Sequence, residues 1–184
     1  MVKGRVPLIL LISIFSLSCS IDYGDSILPD EMKEDIPDNI LRGFLYTENS
    51  DGHKTFSLYA SKAETFNTKE QTILTDVVFQ QFDSTGALIT EGRSDRGVIY
   101  QDNDNAEMRG NIQIYSSQEE AELSTSYLYW DNEEKTLTGK QDTAMTIKKD
   151  SGTVLSGRDF SADMRTKTYF LGNRVHGEYV YEED

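Results

Sequence analysis

One strand pattern recurs along this chain about every 32 residues, and a repeat of that kind limits the fold to stacked copies of one unit. Three copies open at Val77-Val78-Phe79, Ile112-Gln113-Ile114 and Met145-Thr146-Ile147. Each then runs through a polar turn, a second strand, another turn and a short segment ending in Gly. The second strands read Ala87-Leu88-Ile89, Ala121-Glu122-Leu123 and Thr153-Val154-Leu155; the closing segments read Met108-Arg109-Gly110, Leu137-Thr138-Gly139 and Phe170-Leu171-Gly172. Such a unit cannot bury its apolar face alone, whereas stacked copies can. The pattern therefore predicts one long all-β body.

The turns support this. Asn49-Ser50-Asp51-Gly52 separates a strand over Gly43–Thr47 from one in which Phe56, Leu58 and Ala60 share a face. Asp83-Ser84-Thr85-Gly86 and Lys149-Asp150-Ser151-Gly152 repeat that chemistry; Gln118-Glu119-Glu120 fills the slot without Gly, which predicts a longer turn or one of another type. All three prolines lie at or before Pro37, so the rest can form ladders without losing donors. Superposing the units predicts an inward set. Val77, Phe79, Ile112, Ile114, Met145 and Ile147 come from the first strands, Ile89, Leu123 and Leu155 from the second, and Met108, Leu137 and Phe170 from the closing segments; Phe56 and Leu58 join them from the strand ahead of the repeat. Leu128, Trp130, Phe160 and Ala162 extend it. A slip of one residue would turn the whole set to solvent. Two uses of the set stay open: a packed core, or an apolar trough for lipid tails.

Residues 1–18 have the pattern of an export signal: Lys3 and Arg5, then an apolar run from Val6 to Leu17, shorter than the ~20 residues a bilayer core needs. Cys19, the only cysteine, follows in Phe15-Ser16-Leu17-Ser18-Cys19. This resembles a bacterial lipobox, with Leu17 two residues before Cys where three is usual, and makes Cys19 the expected lipidation site. A single Cys excludes an intrachain disulfide. Residues 19–39 are acidic and carry few apolar side chains, which predicts a disordered tether. The β body is expected over residues 40–184. With 32 acidic against 18 basic side chains the formal charge is −14, which argues against nucleic acid as a partner.

No catalytic constellation is visible. His53 and His176 are the only histidines, and neither has metal-ligand spacing to another His or Cys. There is no G-x-S-x-G elbow and no Gly-rich phosphate loop. Asp102-Asn103-Asp104-Asn105 lacks the Gly and distal Glu of an EF-hand. The expectation is a non-enzyme without cofactor or metal.

Three runs carry a family resemblance: Gly110-Asn111-Ile112-Gln113-Ile114; Leu123-Ser124-Thr125-x-x-Leu128-x-Trp130-Asp131; and Leu155-Ser156-Gly157-x-x-Phe160-x-Ala162-Asp163. With Phe56-Ser57-Leu58-x-Ala60-x-x-Ala63 ahead of them, they resemble the LptC family of lipopolysaccharide-export proteins, and the related LptA/OstA domain, over residues 41–180. The resemblance implies an open β-jellyroll of two antiparallel sheets that accepts lipid acyl chains between them. It implies a conduit on the periplasmic face of the inner membrane, fed by an inner-membrane ABC transporter and passing lipopolysaccharide or a related glycolipid to an LptA-like protein by edge-to-edge strand pairing. The outgoing edge is expected at 174–181, with Val175, Tyr179 and Val180, and the incoming edge at 42–47. Where the family commonly has an N-terminal membrane helix, this chain has the expected acylated Cys19. The alternative is an envelope scaffold or ligand-binding lipoprotein with a filled core.

Overall fold

A computed structural model describes residues 35–180. The expected signal at 1–18, Cys19, the tether up to residue 34 and the last four residues lie outside it. Twelve antiparallel strands follow one another among the described residues: β1 (Asn39–Ser50), β2 (His53–Phe66), β3 (Gln71–Phe82), β4 (Leu88–Tyr100), β5 (Ala106–Ser116), β6 (Ala121–Asp131), β7 (Thr136–Thr138), β8 (Ala144–Lys149), β9 (Val154–Arg158), β10 (Ser161–Asp163), β11 (Thr168–Phe170) and β12 (His176–Glu178). The first six pair in chain order. Beyond β6 the sheet forks: its two ends pair separately with β8 and β7, β8 continues to β9 and β12, and β7 continues to β10 and β11. Six short strands thus occupy three strand positions, each broken in the middle.

The breaks fall on one line that crosses every strand position. Gly43, Asp76, Gly110 with Asn111, Asp142, Asp159 and Arg174 all take left-handed φ between 41° and 72°. They recur at multiples of the half-repeat, and the ladders skip pairs there, at Ser61 opposite Asp76 and between Arg109 and Ile112. Gly suits such a conformation, and Asn and Asp tolerate it better than other side chains. The side chains also clasp the line. Ser61 Oγ donates to Asp76 Oδ2 at 2.8 Å, and Asn111 Nδ2 donates to Asp95 Oδ2 at 2.8 Å. Asp159 accepts the Asp142 N–H at 2.9 Å and Asn173 Nδ2 at 2.5 Å. The line divides the sheet into the two layers of an open jellyroll. The remaining left-handed residues, such as Gly52, Gly86, Glu120 and Gly152, sit in the hairpin turns.

The core follows the same line. Ala60, Ala63, Leu74 and Val77 form one buried cluster; Ile112, Leu128, Met145 and Phe160 form the other. Each stands within a few residues of the break in its own strand. Burying a large apolar side chain stabilises the fold by about 1.5–3 kcal/mol, so the corner, where Leu74, Ile112, Leu128 and Met145 are fully buried, contributes most.

Several boundaries differ from the sequence expectation. β1 extends beyond 42–47 at both ends. The last strand shrinks from 174–181 to His176–Glu178, because Arg174 takes up the left-handed break. Asp35 and Asp38, expected in the tether, are tied to the body. The Asp38 N–H donates to the Thr65 carbonyl at 2.8 Å, its carboxylate accepts the Asn67 N–H at 2.7 Å, and Lys69 pairs with Asp35 at 3.0 Å. The middle turn is indeed of another type, with Glu120 at φ 49° doing without Gly.

Candidate functional site: the inner apolar row

Register aligns one row of side chains across the inner face of the layer that carries the 51–52, 83–87, 117–120 and 150–153 turns. Tyr46 pairs with Leu58, Leu58 with Phe79, Phe79 with Gly92, and Gly92 with Ile114. Ile114 pairs with Leu123, Leu123 with Ile147, Ile147 with Leu155, and Leu155 with Gly177. Directly paired residues present their side chains on the same face, so the row crosses nine strands, with apolar side chains on seven and glycine on β4 and β12. It is not sealed. Leu58, Phe79, Ile114, Leu123, Ile147 and Leu155 are all half-buried, and Tyr46 is exposed. Phe56 adds to it: its ring stacks on Phe79 at 6.3 Å between centroids and meets Tyr46 at 6.4 Å.

The expected inward residues divide into three groups. Phe56, Leu58, Phe79, Ile114, Leu123, Ile147 and Leu155 line this open row. Val77, Ile112 and Met145 are buried at the corner, and Met108 and Leu137 pack against the second cluster from the other layer. Two expectations fail. Ile89 has no place in the row: Gln81 pairs with Thr90 and Phe82 with Leu88, so Ile89 is the extra residue of a bulge, and Gly92 holds the row position on β4. Phe170 is 63 % exposed, because Tyr169 pairs with Ala162 and turns Phe170 to the outer face; Leu171 packs inward instead. Leu74 and Tyr46 were not anticipated. Leu74 and Val77 both point inward although three residues apart, since left-handed Asp76 between them resets the alternation.

From β4 to β8 the outer face is polar, while towards β1 it exposes Val78, Tyr59 and Leu45. Opposite the row run Glu91, Tyr115, Glu122 and Lys148, and beside them Arg93, Gln113, Ser124 and Thr146. Two shallow concavities lie there, one over Arg93, Gln113, Tyr115 and the Gly92 backbone, the other over Tyr115, Lys148 and Asp150. In the other layer Glu107 is only 5 % exposed beneath the outer-face tyrosines. Its carboxylate accepts from Tyr100 at 3.3 Å and Tyr127 at 3.2 Å and pairs with Arg109. Burial first, and the Glu107 charge second, push both phenols above their ordinary range. Among the described residues no group of three or more His, Cys, Asp or Glu could hold a metal ion, and no helix is long and apolar enough to cross a membrane. The partner-edge candidates Val175, Tyr179 and Val180 are exposed, flanking β12 rather than lying in it.

A family model described as "Lipopolysaccharide-assembly, LptC-related" matches residues 7–180. Among solved structures the chain is similar to LptH, the LptA-homologous periplasmic component of the lipopolysaccharide transport device of Pseudomonas aeruginosa. The TM-score is 0.51 at 11 % identity, over 68 % of this chain and 95 % of that one. At that identity the likeness speaks for the fold, the LptA-like open β-jellyroll. A comparison with curated proteins finds no match. With a stack of kinked hairpins, an unsealed apolar inner row and a family match over nearly its whole length, the chain belongs to the LptC-related family of lipopolysaccharide-assembly proteins.

Proposed function

We propose that this protein is a passive conduit in the periplasm, holding the acyl chains of lipopolysaccharide or a related glycolipid against the inner row. One observation carries the reading: a row of half-buried apolar side chains from Leu58 to Leu155, interrupted only at Gly92, on the inner face of a sheet that does not close. Each CH₂ kept from water is worth about 0.8 kcal/mol, so a multi-acyl lipid needs such cover to cross an aqueous gap. No bond chemistry is required. The −14 charge favours recognition through the tails, since an acidic surface attracts no anionic head group. In this reading Cys19 anchors the chain by lipid, an ABC transporter supplies the cargo, and an LptA-like partner receives it at a free sheet edge. β1, and β11 with β12, are the edges available.

Photocrosslinking side chains placed at Ile114 or Leu123, in cells making the lipid, are expected to capture it, while Gln113 and Ser124 on the outer face are not. Capture confined to Gln113 and Ser124 would reject the conduit. A filled scaffold is the second reading, favoured by the mutual packing of Ile112, Leu128, Met145 and Phe160 at the corner. It expects no capture at any of the four positions.

A further inference from the structure

Gly92 is the one gap in the middle of the inner row, and an aromatic ring fills it. A Cβ built on Gly92 would land on the edge of the Phe79 ring, so any larger residue there collides with that side chain. Gly92 does not have a left-handed φ, so its backbone does not require glycine. Glycine inside a strand weakens it and provides room for a close approach. Here the approaching group is a side chain of the same sheet, folded sideways from β3 over β4. On the outer side, Gly92 also lines a shallow concavity with Arg93, Gln113 and Tyr115.

Phe79 is the aromatic group in the middle of the row and stands between its two apolar stretches. Leu58 and Tyr46 lie on one side, Ile114, Leu123, Ile147 and Leu155 on the other. It is half-buried, and its contact with Phe56 is a stack at 25° between ring planes. The cover over the other interior glycine of β4 differs. At Gly97, further along β4, a Cβ would meet Val77 and Leu74 at 3.3 and 3.5 Å, both fixed in the buried corner cluster. The cover over Gly92 belongs instead to the unsealed part of the row.

We infer that the Phe79 ring is a displaceable plug over Gly92, which must swing aside before an acyl chain can lie across β4, and which thereby limits how much of the row one chain can occupy. The inference rests on the lipid-conduit reading. It makes Phe79 a specificity-determining residue: with the ring in place the two stretches are separate, and with it displaced they join.

The test is lipid capture by a photocrosslinking residue at Leu123 in the full chain, in cells making the lipid, with and without Phe79→Ala. The plug predicts that Phe79→Ala at least doubles capture at Leu123. It also predicts that Phe79→Ala combined with Gly92→Leu, which refills the gap from β4, returns capture towards the parent value. Phe79→Leu, which keeps an apolar group on β3 without a ring, gives an intermediate rise and guards against a folding defect, checked by thermal melting. Capture in the parent that Phe79→Ala leaves unchanged or lowers, in a protein that melts normally, overturns the plug while the conduit stands. Absence of capture in the parent and in both single variants overturns the conduit, and the plug with it.

Discussion

Single residues set the corners of this fold. Asp83 shows how local the control is. Its carboxylate accepts the Thr85 hydroxyl at 2.7 Å, the Thr85 N–H at 2.8 Å and the Ala87 N–H at 3.0 Å, closing the turn between β3 and β4. Those hydrogen bonds, the Thr85 side chain first, hold the acid below its ordinary 3.8. The folded state therefore binds fewer protons than the unfolded one. The contribution is complete above pH 3.8 and is lost as pH falls through the lower folded value. The Tm difference between the parent and Asp83→Asn is expected to be constant above that pH and to narrow below it; a gap that stays the same width in acid would refute the assignment. The turn itself was readable from Asp-Ser-Thr-Gly. The insertion of Ile89 just beyond it was not, because a bulge depends on how the neighbouring strand is registered.

At the scale of elements, the last three strand positions depend on a clasp. β7 with β8, β9 with β10 and β11 with β12 are each interrupted, and Asp159 joins the interruptions through Asp142 and Asn173. The Arg158 N–H, bonded to the Asn173 carbonyl at 3.0 Å, supports the same corner. Asp159→Ala removes both side-chain bonds in a solvent-accessible place, where a hydrogen bond contributes about 0.5–1.5 kcal/mol. Its expected signature is faster amide exchange over residues 168–178, with β2 and β3 unchanged; uniform acceleration across the sheet would contradict a local clasp. The strand repeat announced these elements. Their splitting was hidden because the closing segment of one unit and the first strand of the next are two halves of one position: Met108-Arg109-Gly110 runs into Ile112, and Leu137-Thr138-Gly139 leads to Met145.

For the whole molecule, what counts is that the sheet ends rather than closes. β1 leaves a long free edge with Leu41 and Leu45 exposed, and the other end is split between the short strands β11 and β12. Unpaired N–H and C=O groups make such edges templates for another strand. Removing residues 174–184 takes away β12 and leaves β9 as the edge of that layer. The expected outcome is loss of pull-down of an LptA-like partner with the fold retained by circular dichroism; undiminished pull-down would move the outgoing edge elsewhere. Charge acts at this scale too. Among the described residues, charged side chains such as Glu91, Arg93, Glu122 and Lys148 stand on the outer face, while the inner row holds no ionised side chain.

The sequence by itself determined the all-β repeat, the turns, most of the inward residues and the family, because strand alternation and turn chemistry are local properties of the chain. Tertiary structure alone decided where the alternation changes phase. A left-handed residue in mid-strand swaps the faces beyond it, as at Asp76, and the cross-strand partner determines which face a short strand shows, as at Phe170. Neither the ring of Phe79 over Gly92 nor the burial of Glu107 beneath outer-face tyrosines could be read from spacing, since each is a contact between strands whose register only the assembled sheet establishes.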